Sequence, residues 1–149
     1  MRVQRMDERK RPSAGLKYEL AGTGPQRAIG ATVLVVDDDA EMTRLIGAVL
    51  ASRGLATVSA YDAVQGFMVA QRLQPKFILV DWHMPAGGGL QLLRQLRHNH
   101  VTASIPVVVV TGDSSPSIQD EAIELGARGV LHKPIDTAIF VELVNTLVA

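Results

Sequence analysis

Phe77-Ile78-Leu79-Val80-Asp81-Trp82-His83-Met84-Pro85 is the stretch that decides the fold. Four apolar residues run without interruption into a carboxylate, and a proline follows. The run is too short and too continuous for an amphipathic helix, so it reads as a strand buried on both faces. In a parallel α/β sheet the carboxyl ends of the strands face the crevice where ligands bind, which places Asp81 there on a rigid support. Pro85 stops the strand, and Gly87-Gly88-Gly89 lets the backbone turn into the next helix. Taken alone, Asp81 could equally be a residue that caps the following turn.

The flanking sequence repeats this pattern. Thr32-Val33-Leu34-Val35-Val36 is a second apolar run, and it ends in Asp37-Asp38-Asp39. Asp39 fits the N-cap of a helix whose Met42, Leu45, Ile46, Val49 and Leu50 recur at helical spacing up to Gly54. Ala56 to Ala60 is a short strand. Asp62 caps a helix through Leu73, with Ala63, Phe67, Ala70 and Leu73 as its packing stripe. Gly89 to Asn99 is a helix with Leu90, Leu93 and Leu96 inward and Arg94 and Arg97 at polar positions. Val107-Val108-Val109-Val110 is a β-branched interior strand that ends in Thr111-Gly112-Asp113. Ser114 or Ser115 caps a helix that runs to Gly126, with Pro116 in its first turn. Gly129 to His132 is a short strand ending in Lys133-Pro134. Asp136 caps the last helix, whose stripe is Phe140, Leu143, Val144 and Leu147. Ile139, Val141 and Val148 widen that apolar area beyond one face. Strands and helices alternate five times, which predicts a doubly wound parallel α/β sheet of five strands with five helices.

The bulk numbers agree with one domain and narrow its class. The 149 residues suffice for a full core, and 47% apolar with 20% charged residues is ordinary for a globular chain. Cysteine is absent, which excludes a disulfide framework and a thiolate metal site. No apolar run is long enough to span a bilayer, and no signal peptide is visible, so a cytoplasmic protein is expected. The formal net charge of zero is unevenly spread. Residues 1–30 carry seven Lys/Arg against three Asp/Glu, whereas residues 31–149 carry eight against twelve. Residues 1–30, with their Pro and Gly, read as a basic and mostly disordered arm on an acidic domain, 31–149.

The strand ends form a constellation. Asp37 and Asp38, Asp81, Thr111 and Lys133 all fall at one edge of the predicted sheet. Three carboxylates, a hydroxyl and an ammonium suit a divalent cation and an anion together. Oxygen donors favour Mg2+ or Mn2+, which need few protein ligands. Each residue singly has a structural explanation, but their convergence points to phosphoryl transfer onto a carboxylate.

Val35-Val36-Asp37-Asp38, Val80-Asp81-Trp82-His83-Met84-Pro85, Val110-Thr111-Gly112 and Lys133-Pro134 resemble the motifs of the response-regulator receiver domain of two-component signalling. The resemblance covers residues 31–149 and implies a flavodoxin-like fold. It implies that Asp81 accepts a phosphoryl group from a histidine kinase or a histidine phosphotransfer protein. It further implies that Asp38 and Asp81 ligate Mg2+ directly, Asp37 acts through water, and the main-chain carbonyl of His83 is the third protein ligand. Thr111 maps onto the switch hydroxyl and Lys133 onto the phosphate-binding lysine, with a cis Lys133-Pro134 bond. The expected protein is a signalling switch, not an enzyme acting on other substrates. Its output would be contact with a downstream protein target, with a homodimer through the fourth and fifth helices as the other use of that surface. No DNA-binding domain is expected within this chain.

Two residues depart from the family pattern. Val130 stands where a rotating Tyr or Phe is common in the fifth strand, and Gly88 stands where Asp usually precedes Gly89. The second change predicts a looser loop. His83 and Asp113 occupy positions that tune phosphoryl lifetime in the family, although His83 also reads simply as a solvent-exposed side chain. A phosphohydrolase of the haloacid dehalogenase type would use Asp37-Asp38-Asp39, Thr111 and Lys133. It leaves Asp81 unexplained and lacks a late acidic motif. A receiver-like scaffold that is never phosphorylated is the other competitor. A dinucleotide-binding domain fails for want of a Gly-rich fingerprint after the first strand.

Overall fold

The computed structural model describes residues 19–21, 32–84 and 88–148. In chain order the elements are β1 (Glu19–Ala21), β2 (Thr32–Val36), α1 (Ala40–Ser52), β3 (Ala56–Ala60), α2 (Ala63–Leu73), β4 (Phe77–Asp81), α3 (Gly88–Arg97), β5 (Val107–Thr111), α4 (Pro116–Glu124), β6 (Gly129–His132) and α5 (Thr137–Val148). They form one sheet in the order β1-β3-β2-β4-β5-β6. The last five strands of that order run parallel, as expected. β1 is an addition. It pairs antiparallel with the outer edge of β3, Leu20 opposite Val58, and so gives the sheet a sixth strand. The remainder of the basic arm expected over residues 1–30 lies outside the described residues.

Alternation along the strands divides the core into two layers. Leu34, Val36, Ile78, Val80, Val107 and Val109 point to the face covered by α2, α3 and α4, where Val69, Leu92, Leu93, Leu96 and Ala122 meet them. Val33, Val35, Phe77, Leu79, Val108 and Val110 point the other way, to Ile46 and Leu50 of α1 and Phe140 and Val144 of α5. β4 and β5 are buried at every position because helices cover both faces.

The helix starts follow the caps read from the sequence. The Asp39 carboxylate accepts from the N–H groups of Glu41 and Met42, that of Asp62 from Gln65, and that of Asp136 from Ile139. α4 departs from this. Ser115 holds the N-cap position without a side-chain cap bond, its hydroxyl instead pairing with that of Ser117, and α4 ends at Glu124.

Several apolar positions face outward against expectation. Leu45 is exposed on α1 and Leu73 on α2, while Gly66 and Val69 take the buried places on α2. On α3, Leu92 is fully buried and Leu90 is only half-buried. Arg97, expected at a polar position, is half-buried, and its guanidinium donates to the carbonyls of Ala103 and Ile105. Burial, together with the neighbouring Arg128, lowers its pKa.

Candidate functional site

The carboxyl edge of the sheet gathers side chains from four places in the chain. β2 ends at Val36, so Asp37 and Asp38 are the first residues to leave it, and β4 ends in Asp81 itself. Because β3 and β4 flank β2 on opposite sides, the connections from β2 and β4 part there and leave a crevice. One carboxylate oxygen from each of Asp37, Asp38 and Asp81 lies within 4.8 Å of the others. Asp37 and Asp81 are buried, at 2% and 5% exposure, and Asp38 is exposed.

Lys133 enters from the turn after β6. Its Nζ is 3.4 Å from Asp81 Oδ2 and 3.7 Å from Asp37 Oδ2. The Lys133 N–H donates to the Thr111 carbonyl at 2.8 Å, which ties this turn to the end of β5; the Lys133-Pro134 peptide is cis.

The electrostatics are unfavourable as they stand, with three carboxylates around one ammonium. The Asp37 carboxyl is pushed up to about 6 from 3.8. Burial is the main cause, and the Asp81 and Asp38 carboxylates add to it. The Asp39 N–H, 2.8 Å from Asp37 Oδ1, and the Lys133 ammonium oppose the rise. The arrangement calls for a further cation, and its donors are all hard oxygens. That chemistry fits Mg2+ or Mn2+.

Asp81 is held at both oxygens. Oδ1 accepts from the His83 N–H at 3.1 Å, and Oδ2 faces Lys133. Thr111 is fully buried on the neighbouring strand, but its hydroxyl does not bond to the carboxylates. It accepts from the Asp113 N–H at 3.0 Å and lies 3.5 Å from His83 Nδ1. The His83 side chain is exposed, as expected, yet it reaches Thr111. Asp37, Asp38, Asp81 and Lys133 therefore come together directly, and Thr111 joins them at the same edge with its hydroxyl engaged by the β5–α4 loop.

The sequence reads Gly88 and Gly89 as turn residues, with Gly89 opening the helix and Gly88 loosening the loop. In the structure both are buried and lie against the backbone of Asp81 and Trp82. The loop expected to be loose is closely packed at its described end, while residues 85–87 lie outside the described set.

The sequence pattern of the response regulator receiver domain matches residues 33–145. The chain belongs to this family. Protein PilH of Pseudomonas aeruginosa is 30% identical over 119 residues, covering 80% of this chain and 98% of that one. The phosphate regulon transcriptional regulatory protein PhoB of the same organism is 30% identical over 106 residues, covering 71% of this chain but 46% of PhoB. The chain thus spans about half the length of the PhoB relatives it matches. Among solved structures, the chemotaxis protein CheY4 of Vibrio cholerae superposes with a TM-score of 0.74 at 24% identity, covering 79% of this chain and 98% of that one. The receiver domain of the Francisella response regulator 1452 gives 0.72 at 27% identity, over 79% and 96%. Receiver domains generally bind Mg2+ at an acidic pocket, and Asp37, Asp38 and Asp81 form an acidic cluster in this structure. Among the described residues no helix is long and apolar enough to cross a membrane.

Proposed function

We propose that this receiver domain is a phosphorylation-controlled signalling switch in which Asp81 accepts a phosphoryl group from a histidine kinase or a histidine phosphotransfer protein. The observation that carries the reading is the gathering of Asp37, Asp38 and Asp81 around one edge with Lys133 3.4 Å from Asp81. An Asp81 oxygen attacks phosphorus, the bond from phosphorus to the donor imidazole breaks, and the imidazole leaves. Lys133 supplies positive charge beside the transferring group, whose transition state spreads negative charge over its oxygens. Asp38, Asp81 and the main-chain carbonyl of His83 would hold Mg2+ or Mn2+, with Asp37 acting through water. A bound divalent cation supplies the charge that the carboxylates and the phosphoryl oxygens lack. Thr111 then donates its O–H to a phosphoryl oxygen while its oxygen keeps the Asp113 N–H, and so draws the β5–α4 loop with it.

Output is protein contact. Val130, half-buried against the core, has no ring to rotate, so the shift of the β5–α4 loop is the signal available to a partner. Ile123 on α4 and Ile139 on α5 are 48% and 54% exposed, which supports a downstream protein or a second copy on that face. A charged substitution at Val141 separates these two uses, by sedimentation for the dimer and by pull-down for the partner. The chemistry is confined to the domain's own phosphoryl transfer and loss, and the site of action is the cytoplasm.

The test is intact-protein mass after incubation with Mg2+ and acetyl phosphate, with Asp81→Asn in parallel. A single hydroxylamine-labile phosphoryl adduct on the wild type and none on the variant is expected. An adduct that survives in Asp81→Asn moves the nucleophile to Asp37 or Asp38 and overturns the reading.

A further inference from the structure

The segment between Asp81 and Met84 is held from two sides. On one side the Trp82 N–H donates to the Val110 carbonyl at 2.9 Å. On the other, the first residues of α3 sit directly on it, and the Gly89 N–H donates to the Trp82 carbonyl at 3.1 Å. This approach is possible only without side chains. Gly88 has φ +53°, and a Cβ there would stand 2.5 Å from the Trp82 carbonyl oxygen. A Cβ on Gly89 would stand 2.9 Å from Trp82 Cα and 3.0 Å from the Asp81 carbonyl oxygen. The obstacles are backbone atoms, so no rotamer change relieves them.

The Trp82 carbonyl and the His83 N–H belong to one peptide unit, and that unit is planar. Its carbonyl faces Gly88 and Gly89, and its N–H holds Asp81 Oδ1 at 3.1 Å. Pushing the carbonyl away from α3 must therefore rotate the N–H away from the carboxylate.

We propose that Gly88 is a positioning residue for Asp81: by lacking a side chain it lets α3 clamp the Trp82–His83 peptide, which in turn aims the carboxylate. The inference rests on the reading of Asp81 as the phosphoacceptor.

Gly54 provides the control. Its φ is +80°, but nothing lies within 4 Å of the place its Cβ would take, and it ends α1 away from the site. Gly54→Ala and Gly88→Ala share the left-handed backbone penalty, and only the second meets the Trp82 carbonyl. Each variant is melted without cation, titrated with Mg2+ by the fluorescence of Trp82, the single tryptophan, and assayed for adduct formation with acetyl phosphate. Gly54→Ala is expected to melt lower, with Mg2+ affinity and adduct rate within twofold of wild type. Gly88→Ala is expected to lose at least fivefold in Mg2+ affinity and tenfold in adduct rate at a temperature where it is folded. Gly88→Asn separates the two causes, since Asn tolerates positive φ but still carries a Cβ. It should fail as Ala does, and wild-type behaviour in Gly88→Asn overturns the proposal. If Gly88→Ala does not fold, the wild type decides through the amide exchange of His83 and Gly89. Slowing of at least tenfold below the unstructured rate supports the clamp, and free exchange overturns it. If the wild type itself forms no adduct and binds no Mg2+, the phosphoacceptor reading fails. If only the Gly88 variants match wild type, the clamp fails and that reading stands.

Discussion

Asp37→Asn should make the cation-free protein more stable at neutral pH. The substitution keeps the volume of the side chain and keeps an oxygen to accept the Asp39 N–H, which lies 2.8 Å from Asp37 Oδ1. It removes one of three crowded carboxylates. The attraction to Lys133 is lost as well, but the carboxyl is raised to about 6, so burial, with the neighbouring carboxylates, outweighs the attractive causes. A folded-state pKa above the unfolded value means that the ionised group works against folding. The penalty is absent below about 4, grows between there and 6, and is complete above 6. At about 1.4 kcal/mol per pKa unit, its ceiling is about 3 kcal/mol. Compaction and residual interactions in the unfolded chain reduce what is measured, so a gain of about 1–2 kcal/mol is expected. For a domain of this size that raises Tm by roughly 5 °C.

The assay is thermal unfolding by circular dichroism in EDTA at pH 7.5 and at pH 4.5. Asp37→Asn should melt higher at pH 7.5, and the gap should narrow to roughly a third at pH 4.5, where folded wild-type Asp37 is largely protonated. Adding Mg2+ at pH 7.5 should raise the wild type more than the variant. An Asp37→Asn protein that melts below wild type in EDTA at pH 7.5 refutes the reasoning, because the site would then be stabilised by its own charges.

Three further outcomes follow from the same structure. Mg2+ affinity, read by Trp82 fluorescence, should fall as pH drops through about 6, because a proton on Asp37 competes with the cation; a flat profile from pH 7.5 to 5 excludes Asp37 from the cation's surroundings. Lys133→Met should slow adduct formation with acetyl phosphate by at least tenfold while leaving the fold intact, since Lys133 is partly exposed and its nearest charge partners are Asp37 and Asp81; mass spectrometry over time decides it. Leu92→Ala, which empties a fully buried position under the sheet, should reduce unfolding free energy in urea by about 2–4 kcal/mol without abolishing the adduct.

Much of the fold was legible because the strands are buried on both faces. Phe77 to Val80 and Val107 to Val110 cannot lie at a surface, and each ends in a residue whose chemistry is wasted in a core. The three Asp caps were legible because a carboxylate before a periodic run satisfies free N–H groups. Apolar periodicity, by contrast, does not say how wide the covered stripe is. Leu45 and Leu73 sit on the flanks of their helices, where the neighbouring element does not reach. Arg97 looked like a surface residue because its partners are main-chain carbonyls, and Ala103 and Ile105 present them only after the loop has folded. β1 was invisible for a related reason: three residues of edge strand are too few for a period to show, and their pairing depends on β3.

The site residues were legible as a set, but their alignment was not. Strand ends place Asp37, Asp81 and Thr111 at one edge whatever the details, and that is a property of topology. Which way Thr111 turns depends on the Asp113 N–H, and which way Asp81 turns depends on the His83 N–H. Both are backbone groups, and backbone direction is set by turns that apolar patterning does not encode. The two bonds hold the two groups in opposite relations to the chemistry. The His83 N–H holds the Asp81 carboxylate, whereas the Asp113 N–H ties the Thr111 oxygen to the β5–α4 loop and leaves its O–H free to donate. On the proposed reading, a phosphoryl group on Asp81 gives the Thr111 O–H a charged acceptor while its oxygen still accepts from the Asp113 N–H, and hydrogen bonds to charged groups are the stronger kind. If Asp81 is the phosphoacceptor, as proposed, the direction of switching is already present in the resting hydrogen bonds: the Asp81 carboxylate is held, and the Thr111 O–H is free to turn once a charged acceptor stands beside it.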